Sequence, residues 1–500
     1  MATRKRSKPT TKTSSKEVLF AKQADLIEDV ELGTLTEDNL RIYGEEVNLD
    51  RAVPDFRDGL KPVTRRTLWA LNGMGNQMVK TARLGGDTVG RYHPHGENSV
   101  YGAIATQVVS PTPPITGVGN WGSIIDPPGA PRYTNVLMSQ FGRTCFFHPK
   151  YTPLRTMVDN YDGKDKEPLF IPATLPNLLL NGVDGIGLGL TTRVPAFTPD
   201  SLLPILASMA VGKEPPVKEI ARSLRPYHEY GGELVKSREN LNALIQLLTE
   251  PKASLKWTSP FETDEEKKTI TIRRFGPEVN PVKLIDTWVK AQKEVSSVHT
   301  GSGVSYVIQI RRDVNMNEFR AFVEKFRAKV TVSRSYELYI TRRSVNKENP
   351  ARYDVAFKQV SLIQLMRIWV KYRIGLEIAA IEYQIKQSEE KLSYYELLLH
   401  AVANLEVVFK SLRQADPRAY LMKHLKITEA QADTILDLKV RRLSKLDGED
   451  ISAKMKEERL HLKELKAQLK KPDVLVRDFL LDAAKNFKLT VNDWSTQWVL

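Results

Sequence analysis

Ile374, Ile378, Ile381, Ile385, Leu392, Tyr395, Leu399 and Val402 follow a four-three spacing. Only a long helix returns such positions to one face, so this stretch must form a seam along a single helix. Ser388 is the one break in it. A seam of this kind must be covered by another helix. The sequence offers one farther on, where Met455, Leu462, Leu465 and Leu469 repeat on a related spacing. Between the two lies a compact helical stretch, Asp416 to Asp447. The expected result is an antiparallel coiled coil with a helical knob at its tip. An ordinary helical bundle fits less well, because the first helix is long and highly charged outside its seam.

Upstream the periodicity changes. From about Trp257 to Arg342 the chain is strand-rich. Thr269-Ile270-Thr271-Ile272 and Ser305 to Ile310 alternate with period two, and a helix from Met316 to Phe326 lies between such strands. This is an α+β unit. From Leu40 to Gln140 the chain is dense in Gly, Pro and His, with short helical segments. Pro62 suits the first position of a helix, where its missing N–H costs nothing. The following residues would turn Val63, Leu68 and Leu71 inward and Arg65-Arg66 outward. A small helical unit with a basic face has the shape of a helix-turn-helix or winged-helix DNA reader.

Charge supports that direction. Lys and Arg number 74 against 60 Asp and Glu, a net charge of +14 over 500 residues. Such a surplus calls for an anionic partner or a very concentrated medium, and nucleic acid is the commonest such partner. The first twenty or so residues mix Lys, Arg, Ser, Thr and Pro and read as a flexible basic arm. It is either a solubilising tail or an arm that touches DNA or a partner subunit. Cys145 is the sole cysteine. This excludes a disulfide framework within the chain and a cysteine-based zinc cluster, and it fits a reducing compartment. No apolar run reaches the length of a membrane span, and the basic start lacks the apolar core of a secretory signal.

Three motifs mislead. Gly117-Val118-Gly119-Asn120-Trp121-Gly122 fits the dinucleotide pattern, but Pro127-Pro128 soon follows and forbids the helix that pattern needs. Gly185-Ile186-Gly187-Leu188-Gly189 lacks the spacing, and its glycines read as points of close backbone approach. His93-Pro94-His95 has no third ligand nearby in sequence, which makes it weak as a metal site.

Four ordered segments carry a stronger signal: Asp50 to Arg66, Tyr92 to Tyr101, Gly119-Asn120-Trp121-Gly122-Ser123 leading to Arg132-Tyr133-Thr134, and Pro176 to Ile186. With them the chain resembles the DNA breakage-reunion subunit of type IIA topoisomerases. That family includes the A subunits of gyrase and topoisomerase IV and the medium subunit of T4-like phage enzymes. The similarity runs from about Leu40 to about Asp482, and Ile435 to Leu443 looks like the segment at the family's distal dimer gate. The chain's end soon after the coiled coil favours the phage type. The resemblance implies an α+β multidomain fold: a basic arm (1–22), a winged-helix breakage-reunion domain (23–165), an α/β tower (166–350), a coiled coil (351–485) with its gate knob (416–447), and a tail (486–500).

The resemblance also implies roles. Tyr133 matches the nucleophile, since a phosphotyrosyl ester conserves bond energy for resealing. Arg132 and Arg51 match arginines that stabilise the scissile phosphate, a task suited to a planar, permanently cationic fork. His95 matches the active-site histidine, as proton relay or hydrogen-bond donor. His93, Lys61, Arg65 and Arg66 would hold the DNA backbone, and Ile186 would wedge between base pairs. Two departures from the bacterial pattern stand out. Val183-Asp184 stands where two serines are common, so Asp184 should turn away from phosphate. Asn98 and Gly102 stand where a serine and an acid face quinolones.

No TOPRIM-type acidic motif or ATPase signature is legible in the sequence. Mg²⁺ and ATP are therefore expected on a separate TOPRIM/ATPase B-type subunit, within an A2B2 enzyme built on a homodimer of this chain. With no wrapping domain after the coiled coil, relaxation and decatenation are expected rather than negative supercoiling. The expected location is the cytoplasm, that of a bacterial host if the chain is phage-encoded. The rival is a dimeric DNA-binding scaffold that does not cut, against which the Arg132-Tyr133 pair argues.

Overall fold

The computed structural model describes residues 31–228, 230–301, 304–348, 353–437 and 448–487. The basic arm, the Leu438–Leu443 part of the gate motif, the end of the knob and residues 488–500 lie outside them. The architecture is mixed α and β, with long helices.

Three helices, Pro62–Gly73, Thr81–Arg91 and Glu97–Val109, pack with a small antiparallel sheet in the order Val79–Lys80, Asn135–Met138, Ile115–Val118. Pro62 occupies the first turn of its helix, as its fixed φ predicts. Leu68 and Leu71 turn inward as expected. A five-stranded sheet follows, in the order Glu233–Leu234, Lys252–Thr258, Thr331–Glu337, Thr191–Val194, Val183–Ile186. Ala253, Leu255 and Trp257 alternate inward along the Lys252–Thr258 strand, so one face of that strand is buried.

These parts share one core. It starts at Phe56, takes in Leu84, Ile104, Leu206 and Trp257, and reaches Trp369 and Leu480. A second core lies under a four-stranded antiparallel sheet, in the order Phe261–Asp264, Thr269–Ile272, Tyr306–Ile310, Val295–Thr300. The Met316–Lys329 helix covers it with Phe319, Phe322 and Phe326. That helix opens with a reciprocal cap between Asn315 and Glu318, which satisfies two otherwise orphaned N–H groups.

The seam helix runs from Leu362 to Ala403, 42 residues, and opens with a similar cap between Ser361 and Gln364. At 1.5 Å per residue it is about 63 Å long. The Gly448–Gln468 helix lies along it in the opposite direction. Lys466 bonds Glu389 at 2.8 Å, Lys391 pairs with Glu458 at 3.9 Å, and Leu398 packs on Ile451 and Met455. Ser388, the apparent flaw in the seam, is buried and donates to Glu458, so the break is filled by a cross-helix hydrogen bond. At the far end, Pro417–Leu425 and Glu429–Leu436 fold over Leu397, Ala401 and Val408.

The sequence reading did not anticipate a final helix, Pro472–Asn486. Val476, Leu480, Ala483 and Ala484 return to the main core, and Phe487 meets Phe141 edge-on at 5.6 Å. Among the described residues, no helix is long and apolar enough to cross a membrane.

Candidate active site

Arg51 is the last cation of an irregular stretch. The Leu32–Glu45 helix loosens into a π-helical turn, Glu46–Ala52, which leaves Arg51 exposed. The nine residues after it, 52–60, are buried, two aspartates among them. A buried carboxylate needs partners, and each has them. Asp55 accepts from Arg57 Nε and Nη2 at 2.9 and 2.7 Å and from the Arg343 N–H at 3.1 Å. Burial pushes its carboxyl upward, but bonding to Arg57 and the charges of Arg57 and Arg65 hold it below the usual carboxylate range. Asp58 accepts from Arg65 Nε at 2.7 Å, from Arg65 Nη2 at 3.0 Å and from the Ile171 N–H at 2.9 Å. Gly59 turns the chain at φ 66°, and a side chain there would collide with the Leu178 backbone.

This geometry corrects the sequence reading at Arg65 and Arg66. Arg65 points inward, 4% exposed, because Asp58 lies beneath its helix and needs a counter-charge. Arg66 is partly buried and held by Glu167, with Nε–Oε2 and Nη2–Oε1 both 2.7 Å. Its remaining Nη1 sits 3.0 Å from His93 Nδ1. Neither guanidinium is a solvated helix face.

His93 and His95 stand in the short link between the Thr81–Arg91 and Glu97–Val109 helices, with rings 4.4 Å apart. Thr88 fixes the link by accepting from the His93 N–H at 2.8 Å. Burial pushes the His93 imidazole down to about 4, and the charges of Arg66, His95 and Arg51 add to this. His93 is therefore neutral at working pH, while His95 is exposed beside it.

Tyr133 comes from a different place, a loop without regular structure from Gly119 to Thr134. The chain can turn there because Gly119 and Gly122 adopt φ of 114° and 81°. A side chain on Gly122 would meet the Asp126 carbonyl oxygen at 2.7 Å. Asn120 accepts from the Gly122 and Gly129 N–H groups, both at 2.9 Å. Tyr101 donates to the Gly129 carbonyl, and the Thr81 N–H donates to the Thr134 carbonyl at 3.1 Å. So held, Tyr133 is 67% exposed. Among the described residues its hydroxyl makes no hydrogen bond, and the Arg132 guanidinium lies over its ring at 4.7 Å.

Ile186 and Lys61 belong to a third place. Ile186 is 79% exposed at the end of the hairpin formed by Val183–Ile186 and Thr191–Val194, not in a core. Its flanking glycines do mark close approach: a side chain on Gly185 would strike the Ala52 carbonyl, and one on Gly187 the Asn48 side chain. Asn48 in turn accepts from the Leu188 N–H at 2.7 Å and donates to the Leu188 carbonyl at 3.1 Å. This clip joins the hairpin to the turn that carries Arg51. Lys61 Nζ donates to the Asp184 carbonyl at 2.6 Å, and burial lowers its ammonium below the usual lysine range against the pull of Asp184. The Asp184 carboxylate turns to Arg334 and Arg193.

The structure thus gathers Arg51, Arg66, His93 and His95, pairs Arg132 with Tyr133, and groups Lys61 with the Ile186 hairpin. Among the described residues, no hydrogen bond or ring contact joins Tyr133 to Arg51, His93 or His95. Sequence reasoning missed Glu167 and Asn48, whose partners are 101 and 140 residues away. The side chains gathered here are cations, imidazoles and a phenol, and two carboxylates beside them, Glu167 and Asp184, are committed to arginines. That donor set does not fit a divalent cation. Among the described residues, no group of three or more His, Cys, Asp or Glu is placed to hold a metal. The arrangement suits an anionic polymer with flat, stackable units: cations for its backbone, an apolar tip for its bases, and a free phenol for attack on phosphorus.

Comparison with known proteins agrees. The family of DNA gyrase/topoisomerase IV A subunits matches residues 51–482. The chain is 27% identical to the DNA gyrase A subunit of Staphylococcus epidermidis over 472 residues, covering 89% of this chain and 51% of that protein. It is 28% identical to the DNA gyrase A subunit of Campylobacter fetus, with 89% and 53% covered. The Staphylococcus aureus protein of the same name is 26% identical, with 89% and 51% covered. The chain spans about half the length of the curated relatives it matches.

Proposed function

The chain belongs to the family of DNA gyrase/topoisomerase IV A subunits, and on that premise we propose that it is the DNA-cleaving, A-type subunit of an ATP-dependent type IIA topoisomerase. The Tyr133 oxygen attacks a backbone phosphorus as the 3′ oxygen of the neighbouring sugar leaves, giving a 5′-phosphotyrosyl link. Return of the 3′ hydroxyl reseals the strand. Arg132 and Arg51 hold charge on the phosphate, with His95 and His93 as neighbours, while Lys61 steadies the Ile186 hairpin that bends the duplex. The observation that carries this reading is the Arg132-Tyr133 pair: an exposed phenol with a free hydroxyl, beside a guanidinium, on a loop held by backbone bonds.

Among the described residues no hydrogen bond or ring contact joins Tyr133 to the Arg51–His93–His95 group, and on that ground each cleavage centre is drawn from both protomers of a homodimer. Mg²⁺ and ATP are assigned to a TOPRIM/ATPase B-type partner in an A2B2 assembly, because the donors gathered at this site among the described residues do not suit the metal. Residues 23–165 are read as a winged-helix gate, 166–350 as the tower, and 351–485 as the coiled coil through whose knob the passed duplex leaves. The setting is the bacterial cytoplasm, the host's if the chain is phage-encoded. The test mixes the purified chain, a B-type subunit, Mg²⁺ and end-labelled duplex. Covalent protein at 5′ ends is expected; a dimer that binds DNA without ever forming adducts would instead be the non-cutting scaffold.

A further inference from the structure

The contacts behind His93 carry one more assignment, which rests on the cleavage reading above. A guanidinium offers N–H donors and no acceptor. In the 3.0 Å contact between its Nη1 and His93 Nδ1, the guanidinium must therefore be the donor. Nδ1 is then the acceptor and bears no proton, so the single proton of the neutral ring sits on Nε2. Arg66 is not free to move from this contact, because Glu167 takes its Nε and Nη2 in a two-bond fork. Glu167 is itself fixed in the short Lys166–Pro168 strand, where the Trp69 indole N–H donates to the Lys166 carbonyl at 3.2 Å. That bond ties the strand back to the helix that bears Arg66.

We propose that Glu167 and Arg66 are positioning residues that fix His93 as the neutral Nε2–H tautomer, a hydrogen-bond donor to the scissile phosphate, and that Arg66 does not grip the DNA backbone. The groups facing His93 are consistent with a neutral ring: Arg66 from the Pro62–Gly73 helix, His95 from its own link, and Arg51 from the π-helical turn, with Glu167 behind Arg66. The chemical consequence is specific. With its Nδ1 lone pair engaged, His93 can donate but cannot act as a base, so the Tyr133 proton must leave by another group.

The test begins with the full chain labelled with ¹⁵N in its histidine rings, His93→Gln identifying the signals of interest. The expected His93 spectrum shows protonated Nε2 and bare Nδ1, unchanged as pH falls from roughly 8 to 5, below the ordinary histidine value. In Arg66→Ala the ring loses its fixed donor, so a proton on Nδ1 should become detectable, while burial, His95 and Arg51 still hold its titration below the ordinary histidine value. A wild-type His93 that titrates within that pH range, or carries its proton on Nδ1, overturns the proposal. A second arm uses the chain with its B-type subunit. Glu167→Gln and Arg66→Ala should each slow cleavage by roughly ten- to a hundredfold, the usual range for orienting partners. The double variant should be no slower than the worse single, as expected for links in one relay. The salt slope of DNA affinity should not change; a fall of about 1 in Arg66→Ala would mark a phosphate contact and overturn the proposal. Arg66→Lys keeps the charge without the fork, so it should fold normally yet lose tautomer control, which guards against a variant that only unfolds. Absence of Tyr133 adducts in the wild type would bring down the cleavage reading, and the donor role with it, whatever the spectra show.

Discussion

Tyr133 stands on a loop fastened to the rest of the protein mainly through its backbone, whereas His93 stands among side chains that hold one another. The loop takes its shape from Gly119, Gly122 and carbonyl acceptors, and it leaves the phenol and Arg132 in solvent. The His93 side relies on Glu167, Arg66 and burial, and its electrostatics are set before any ligand arrives. On the proposed cleavage reading, a group that must form and break a covalent bond needs room and a free oxygen. A group that only polarises needs a fixed orientation, since preorganised donors lose nothing to reorientation at the moment of reaction.

Substitutions can break or sharpen this contrast. The largest effect belongs to Tyr133→Phe, which should remove covalent adducts altogether. Its DNA affinity should stay within about twofold, because an exposed hydroxyl supports no fold contact. Adducts that persist would move the nucleophile elsewhere. Arg65→Ala comes next and acts on stability: it strands the Asp58 carboxylate in the core, at a cost of roughly 3–5 kcal/mol. Denaturant titration reads this directly, and a loss under about 1 kcal/mol would mean that the Leu60 and Ile171 N–H donors suffice for Asp58. Arg51→Ala and Arg132→Ala should each lower single-turnover cleavage by on the order of 10²–10³, as for loss of one preorganised charge donor. Equal losses in affinity and cleavage would recast them as plain DNA contacts.

Smaller still is Ile186→Ala, on the order of 1 kcal/mol in affinity, because the variant loses both the unstacking cost and the contacts that repay it. Fluorescence transfer between duplex ends should show a straighter DNA; an unchanged bend would remove the wedge. Most delicate is a mixed dimer of one Tyr133→Phe chain and one Arg51→Ala chain. If the two halves of a centre come from opposite protomers, one centre carries both lesions and the other is intact, so single-strand nicks form at about half the normal number of sites. If both halves come from one chain, no intact centre exists and nicking nearly vanishes.

Much of this was legible in sequence, for a physical reason. Periodicity reports which face is buried, so the Leu362–Ala403 seam and the Thr269–Ile272 and Tyr306–Ile310 strands appear where the spacing puts them. The exposed Ile186 and the Arg132-Tyr133 pair could be picked out from the motifs around them. What escaped depends on contacts distant in sequence. The amphipathic Pro472–Asn486 helix gives no sign that the Pro199–Ala210 helix is its partner. Arg65 looks like a solvated residue until Asp58 is found beneath it, and Glu167 carries no motif at all.

The clasp at Asp55 also bears on the order in which the protein is made. The Arg343 N–H reaches Asp55 from 288 residues away, and beside it Thr341 accepts from the Phe56 N–H and donates to the Pro54 carbonyl. On the ribosome, the segment that presents Arg51 must wait for that distant strand. At roughly 5–20 residues per second the interval is on the order of 15 to 60 s. Through it Asp55 can pair with Arg57 but not with the strand that closes over both. The nascent chain would thus carry its charge clamp unlatched until most of the fold has emerged.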